Sequence, residues 1–207
     1  MGLRFSLPWC ASCGILLHGP GYESGQLCGG CTLEPPPFSG ARSFGYYTSE
    51  LSRIIQALKF QGRRNIADLL GPLMASVFLE SWDRDQIDML VPIPLHPRRR
   101  RERGFNQSAL LARSMARWIA IPVCGRVLTR VRHTAPQVGL TDVERTRNLK
   151  DAFRCSDPAK VRGKRILLID DVMTTGATAA SAASALSQAG AQRVSVLTAA
   201  RAVPGME

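Results

Sequence analysis

Between residues 165 and 178 the chain reads Arg-Ile-Leu-Leu-Ile-Asp-Asp-Val-Met-Thr-Thr-Gly-Ala-Thr. A continuous apolar run ends in two adjacent carboxylates, Asp170 and Asp171, and a small, hydroxyl-rich turn then opens onto an Ala-rich stretch. Adjacent acids at the end of a buried strand repel one another and gain nothing structurally, so a ligand is the better reason for them. Carboxylates accept hydrogen bonds from vicinal hydroxyls and help hold Mg2+ through its water shell. Backbone N–H groups at a helix start, joined by the hydroxyls of Thr174, Thr175 and Thr178, can surround a phosphate without a cation. Gly176 lets the chain curl closely around it. These parts together suit a sugar phosphate. Neither Gly-x4-Gly-Lys-Ser/Thr nor Gly-x-Gly-x-x-Gly occurs, which excludes a Walker loop and a dinucleotide fingerprint.

A second chemistry lies near the N-terminus. Cys10 and Cys13 form one pair, Cys28 and Cys31 another, with fourteen residues between the pairs. Two thiolates three residues apart reach one ion from a tight knuckle, and a second knuckle completes a tetrahedral zinc site at about 2.3 Å per Zn–S bond. Four thiolates leave no open coordination position, so zinc here folds the segment rather than catalyses. Disulfides are the alternative, disfavoured because Arg4, Pro8 and Cys10 interrupt any apolar signal segment. His18 lies between the pairs and reads as a bystander. Residues 5–34 carry no Lys or Arg, which argues against this module gripping phosphates by itself.

The elements that must position these groups can be read from pattern and composition. A chain of 207 residues has room for one ordinary domain and a small appendage, and 45% hydrophobic residues suffice for a core. Its longest apolar runs are far shorter than the roughly 20 residues that span a bilayer, and the expectation is a soluble, cytoplasmic protein. Residues 34–40 (Glu-Pro-Pro-Pro-Phe-Ser-Gly) form a stiff break. The predicted division is a zinc-binding module over 1–34, a Pro-rich linker over 35–40 and a larger domain over 41–207.

Within the larger domain, Thr48 or Ser49 can cap a helix whose Leu51, Ile54, Ile55 and Leu58 recur at helical spacing. A second helix is predicted from Asn65 through Leu79. A short apolar run from Met89 to Ile93 precedes a basic loop, and a helix follows from Gln107 to Ile119. Strands are predicted at Val123 to Val131, Arg165 to Asp170 and Val194 to Ala199, with a helix from Ala177 to Ala189. The alternation implies an α/β fold, a mainly parallel sheet flanked by helices, with ligands at the carboxyl ends of the strands.

The segment Ile166 to Thr178 resembles the phosphoribosyl pyrophosphate (PRPP) motif of type I phosphoribosyltransferases. The wider chain is similar to the ComF family of phosphoribosyltransferase-like proteins. The likeness lies in the four-cysteine module, in LKFQGRRNIADLLG at 58–71, in VPIPLHPRRRRERGFNQSALLA at 91–112 and in TRVRHTAPQVGLTDVERTRNLKDAF at 129–153. The resemblance implies that Asp170 and Asp171 contact the ribose hydroxyls and that Thr174, Thr175, Gly176, Ala177 and Thr178 hold the 5-phosphate. It puts the pyrophosphate loop at Pro92 to Arg98, through Pro94, followed by Arg103, Gly104, Asn106 and Gln107. A hood over the reacting centre would fall at about 130–150, with Thr134, Gln137, Arg145 and Asn148. Mg2+ would accompany PRPP. The activity implied is transfer of phosphoribose to a nitrogen nucleophile, a pentosyl transfer, in a family associated with natural competence and DNA uptake.

Charge fits that implication. The chain carries 27 Lys+Arg against 16 Asp+Glu, a net +11, and the excess is almost entirely arginine. Guanidinium forks match phosphate oxygens in pairs. Five arginines among residues 98–103 could neutralise a departing pyrophosphate. No covalent protein nucleophile is needed, so Cys124 and Cys155 read as small core residues. His96 and His133 read as solvated loop histidines. The alternative reading is a binding protein that retains the pocket while Arg63, Arg64 and the 98–103 cluster track single-stranded DNA or a competence-machinery protein. Phe60, Phe105 and Trp118 are conceivable stacking groups for which a core role is favoured. A zinc-dependent adaptor is a third, weaker reading.

Overall fold

The computed structural model describes residues 8–17, 19, 21–23, 25–132 and 151–203. His18, His133 and the hood residues Thr134, Gln137, Arg145 and Asn148 lie outside the described residues. Its strands are β1 (Ala41–Tyr46), β2 (Met89–Pro92), β3 (Leu128–Arg130), β4 (Phe153–Cys155), β5 (Arg165–Met173) and β6 (Arg193–Arg201). Its α-helices are α1 (Gly29–Leu33), α2 (Ser49–Phe60), α3 (Ile66–Ser81), α4 (Pro97–Arg103), α5 (Gln107–Ile119), α6 (Pro158–Val161) and α7 (Ala177–Gln188).

Strand β5 organises the molecule because Ile166, Leu167, Leu168 and Ile169 can be buried on both faces of a sheet. It pairs in parallel with β2 on one side and β6 on the other, and β1 pairs in parallel with β6, giving the order β1-β6-β5-β2. Leu167 and Ile169 pack with Leu51, Ile55 and Leu58 of α2 and with α3 and α5. Ile166 and Leu168 pack on the opposite face with Ala179, Ala182, Ala183 and Leu186 of α7. Helices thus cover both faces, as the strand and helix alternation requires.

Two contacts lock this arrangement away from the acid pair. Arg165 at the start of β5 grips Asp88 beside β2 through Nη2 at 2.8 Å and Nε at 3.1 Å. That bidentate bond holds the Asp88 carboxyl down at about 2. Helix α3 crosses α5 at Gly71, where an added Cβ would lie 2.1 Å from Ser114 Oγ. Glycine therefore sets the closeness of that crossing, and an Arg117–Asp68 ion pair ties the same two helices.

Several expectations need correction. The run Val123 to Val131 is not a strand of the main sheet. Only Leu128–Arg130 is extended within it, and it pairs antiparallel with β4 in a separate two-stranded ribbon. The basic segment after β2 is helical rather than a loop: Pro97 fills the first turn, His96 Nδ1 accepts from the Arg98 N–H at 3.3 Å, and Gly104 ends the helix at φ +76°. Arg98 and Glu102 pair one turn apart on its surface. Strand β5 runs past the acids to Met173, with Asp170 opposite Thr198 and Met173 opposite Arg201. Phe60 and Trp118, favoured for the core, are 73% and 64% exposed. Cys124 and Cys155 do pack partly buried against the core. Among the described residues no helix is long and apolar enough to cross a membrane.

The four-cysteine segment docks against the free edge of β1. Ala41 N–H donates to Ser12 O at 2.7 Å, and Arg42 Nη1 donates to Ala11 O at 3.1 Å. Gly14 has φ +69°, and a side chain there would sit 2.4 Å from Ala41 O. An edge strand that would otherwise offer unpaired backbone groups is thereby covered.

Candidate functional site

All four parallel strands point their carboxyl ends to the same side of the sheet. Because β2 and β5 are neighbours, with Pro92 opposite Ile169, the chain after β2 emerges beside the acid pair. Ile93 N–H continues that pairing by donating to Ile169 O at 2.9 Å. Two loops from distant parts of the sequence therefore border one site: Ile93 to His96, which includes Pro94, and Thr174 to Gly176.

Helix α5 links them at its first turn. Asn106 caps the helix, its side-chain oxygen accepting from Ser108 N–H at 3.1 Å while its Nδ2 donates to Ile93 O at 3.0 Å. The same turn holds the acids, since Ser108 Oγ donates to Asp170 Oδ1 at 2.7 Å. Asp170 Oδ1 also accepts from Asp171 N–H at 2.9 Å, and Asp171 Oδ1 from Val172 N–H at 2.8 Å. On the other side Lys59, in the last turn of α2, pairs with Asp171 Oδ2 at 2.7 Å. Burial, and then the neighbouring Asp171 charge, push the Asp170 carboxyl up to about 7, against the pull of Ser108 and Lys59.

Cations ring the acids. Arg103 donates through Nη1 to Gln107 Oε1 at 2.6 Å, and its guanidinium lies 5.2 Å from the Phe60 ring centroid. Burial lowers its pKa, while the charges of Asp171 and Asp170 raise it. Burial lowers the pKa of Arg130, held over Phe153 at 5.6 Å, with the Arg99 charge lowering it further and the Asp170 charge raising it. Arg64 lies over Phe105 at 4.9 Å.

The turn after β5 is built for closeness. Gly176 caps α7 in the left-handed region at φ +87° and has no side chain of its own to cap the helix. A Cβ there would come within 2.8 Å of Met173 Cε. Thr175 Oγ1 accepts from Ala177 N–H at 3.3 Å, and Thr174 is exposed. A helix N-terminus with a small cap and hydroxyls beside it is a setting for an anion.

The structure thus brings together Asp170, Asp171, Arg103, Asn106, Gln107, Pro94 and the 174–178 turn. Of these, Asn106 and Gln107 act mainly through others: one pins the loop after β2, and the other, 5% exposed, aims Arg103. The residue-by-residue reading missed Lys59 and Ser108. A signal for Lys59 was present, because it continues the four-residue spacing of the buried Leu51 and Ile55, where a charge needs a partner. Ser108 carried no comparable signal.

At the other site, Cys10, Cys13, Cys28 and Cys31 gather all four sulfurs within 4.8 Å of one another. Cys13 Sγ and Cys28 Sγ are 3.7 Å apart. Backbone N–H groups point at the sulfurs, Cys28 N to Cys10 Sγ at 3.3 Å and Cys31 N to Cys28 Sγ at 3.5 Å. This cluster could hold a metal ion.

Comparison with known proteins agrees with the geometry. Residues 105–203 match the model of the phosphoribosyl transferase domain, a span that includes α5, the acid pair and the turn after it. The chain is 38% identical over 197 residues to the DNA utilization protein YhgH of Salmonella typhimurium, covering 94% of this chain and 84% of that protein. It is 33% identical over 201 residues to Competence protein F of Haemophilus influenzae, covering 95% and 86%. With Competence protein ComFC of Bacillus subtilis it shares 32% identity over 155 residues, covering 72% and 58%. The domain, the fold and these relatives together establish that the chain belongs to the ComF family of phosphoribosyltransferase-like proteins.

Proposed function

We propose that the chain binds PRPP with Mg2+ at the carboxyl ends of β2 and β5 and transfers phosphoribose to a nitrogen nucleophile. The observation that carries this reading is the convergence of an acid pair, Asp171 buried and Asp170 half-buried, a small-residue helix start and several arginines on one end of the sheet. Asp170 and Asp171 accept hydrogen bonds from the ribose 2′ and 3′ hydroxyls. The 174–178 turn surrounds the 5-phosphate. Arg103, oriented by Gln107 and Phe60, faces the pyrophosphate, with Arg99 and Arg130 adding charge.

In the reaction the nitrogen lone pair forms a bond to the anomeric carbon as the bond to the pyrophosphate oxygen breaks. The nitrogen's proton leaves to solvent. Bound Mg2+ supplies positive charge to the leaving group, and the two aspartates are the residues that would hold it through its water shell. The protein's own contribution is orientation and preorganised charge.

We assign the four-cysteine cluster to structural zinc. A sulfur separation of 3.7 Å is what tetrahedral ligands at about 2.3 Å from one ion require, and an all-thiolate set is a closed one. On this reading residues 1–34 are a zinc module and 35–40 its linker to the domain over 41–207.

A second reading has an observation behind it. Phe60 is exposed and Arg103 stacks on it, an arrangement that serves base stacking along single-stranded DNA. The names of the relatives, a DNA utilization protein and competence proteins, point the same way. Pyrophosphate release from PRPP and Mg2+, measured over a panel of amines and nucleobases, separates the two. Turnover with one acceptor supports transfer. Binding of PRPP without release by any acceptor, with DNA affinity that falls steeply with salt even at saturating PRPP, favours the DNA-handling protein.

A further inference from the structure

Lys59 and Phe60 close α2 beside the acid pair. Gly62, at φ +65°, then turns the chain toward α3. Two contacts of the same kind clasp this end of α2 to the connection between α4 and α5, each side supplying one ring and one guanidinium. Arg103 lies 5.2 Å from the Phe60 centroid, and Arg64 lies 4.9 Å from that of Phe105. The connection so clasped is the one whose Asn106 pins the loop after β2 through Ile93 O. The backbone of Lys59 is therefore anchored to the same connection that anchors the loop assigned to the pyrophosphate.

Its side chain is held less firmly. The ammonium meets Asp171 Oδ2 at 2.7 Å as an ion pair, yet that buried oxygen receives no directed hydrogen bond among the described residues. Asp171 Oδ1, by contrast, accepts from Val172 N–H at 2.8 Å. Oδ2 is thus the oxygen of Asp171 left for a ribose hydroxyl, and a hydroxyl that donates to it must take the ground on which the ammonium stands. The Lys59 side chain is only 19% exposed, so an ammonium displaced from its carboxylate needs another anion close by. PRPP brings that anion with it. Lysine is a compact charge with three donors on a flexible stem, suited to phosphate oxygens without the planar fit a guanidinium needs.

We propose that Lys59 is a further catalytic residue for the transfer: its ammonium holds Asp171 Oδ2 in the empty site and moves to the diphosphate of PRPP when a ribose hydroxyl takes that oxygen. This role rests on the PRPP reading above. Arg103, stacked on Phe60 and bonded to Gln107, is a fixed charge, whereas Lys59 is the cation that changes partner. Once on the diphosphate, the ammonium stabilises the negative charge that grows there as the bond to the anomeric carbon breaks.

The test compares two ligands that differ in the diphosphate, PRPP and ribose 5-phosphate, each titrated with Mg2+ present into the full chain as wild type, Lys59→Met and Lys59→Arg. Removing the ammonium is expected to lower PRPP affinity about 10- to 100-fold, the size of one charge-assisted hydrogen bond. Affinity for ribose 5-phosphate stays level or rises, because its hydroxyl no longer competes with the ammonium for Asp171. Lys59→Arg keeps a charge and recovers part of the PRPP loss. The ratio of the two affinities within one chain is independent of any unfolded fraction, and Lys59→Gln gives the neutral comparison should Lys59→Met not fold. Equal losses for both ligands would reduce Lys59 to a support for Asp171, and no loss for either would make it a bystander. Both results overturn its role at the diphosphate while leaving the PRPP site standing. A wild-type chain that does not bind PRPP overturns the PRPP reading as well.

Discussion

Replacing both acids, Asp170→Asn with Asp171→Asn, is expected to abolish PRPP binding while leaving affinity for single-stranded DNA unchanged or improved. Each carboxylate would accept a charge-assisted hydrogen bond from a ribose hydroxyl, and such bonds contribute about 1.5–3 kcal/mol apiece. Their joint loss corresponds to a fall on the order of a hundredfold or more. DNA affinity should not suffer, because the change removes two negative charges from a basic surface. Titration calorimetry with PRPP and fluorescence anisotropy with labelled DNA read the two effects separately. Unchanged PRPP affinity would remove the site assignment.

The single variants should diverge in stability, since the two acids sit differently. Asp170 is pushed up by burial and by Asp171, so its ionised form opposes folding. That cost is absent below its ordinary value of 3.8 and grows until the pH passes about 7. Asp170→Asn escapes it and should gain stability relative to wild type across that window. Asp171→Asn leaves the largely buried Lys59 without its counter-charge and should lose stability instead. Urea midpoints at pH 4 and pH 8 check the signs.

Replacing Cys10 and Cys31 together with Ser should have the largest effect on folding. Structural zinc supplies about 10–16 kcal/mol to small metal-folded units, and the described segment around the cysteines has little core beyond Leu17, Ile15 and the sulfurs themselves. The double variant is expected to lose stoichiometric zinc and to become open to proteolysis between residues 8 and 40. The exposed edge of β1, now covered through Ser12 and Ala11, would then favour association between chains. Metal content by atomic emission and limited proteolysis with mass spectrometry test both. A variant that keeps protease resistance without metal contradicts the zinc assignment.

Much of this architecture was legible because the informative residues carry extreme physical preferences. Ile166 to Ile169 can only be a doubly buried strand, and Asn106 marks the start of α5 as a cap. The acid pair announced itself by being adjacent at a strand end. What escaped was decided by partners distant in sequence. Strand β1 contains Arg42, Ser43 and Gly45 and has no strand-like run of its own; it exists because Val196 to Arg201 offer it a ladder and the cysteine segment covers its edge. The apolar stretch from Val123 was the converse case, strand-like in composition yet paired with the main sheet only at one bridge, Leu90 with Val123. The arginine run looked like a loop because its charges hide the Pro97 start, the Arg98–Glu102 pair and the Gly104 stop that make it helical. Phe60 illustrates a different limit: hydrophobicity suggests burial, but a ring that carries a guanidinium over its face can stay at the surface.

The central claim is that the end of β5 receives the ribose and 5-phosphate of PRPP. A crystal soaked with PRPP, Mg2+ and candidate acceptors tests it most directly. The account predicts ribose hydroxyls within hydrogen-bond reach of Asp170 and Asp171, the 5-phosphate inside the 174–178 turn, and the pyrophosphate toward Arg103. Ligand density elsewhere, or a turn that stays closed by its own side chains at saturating PRPP, would contradict it.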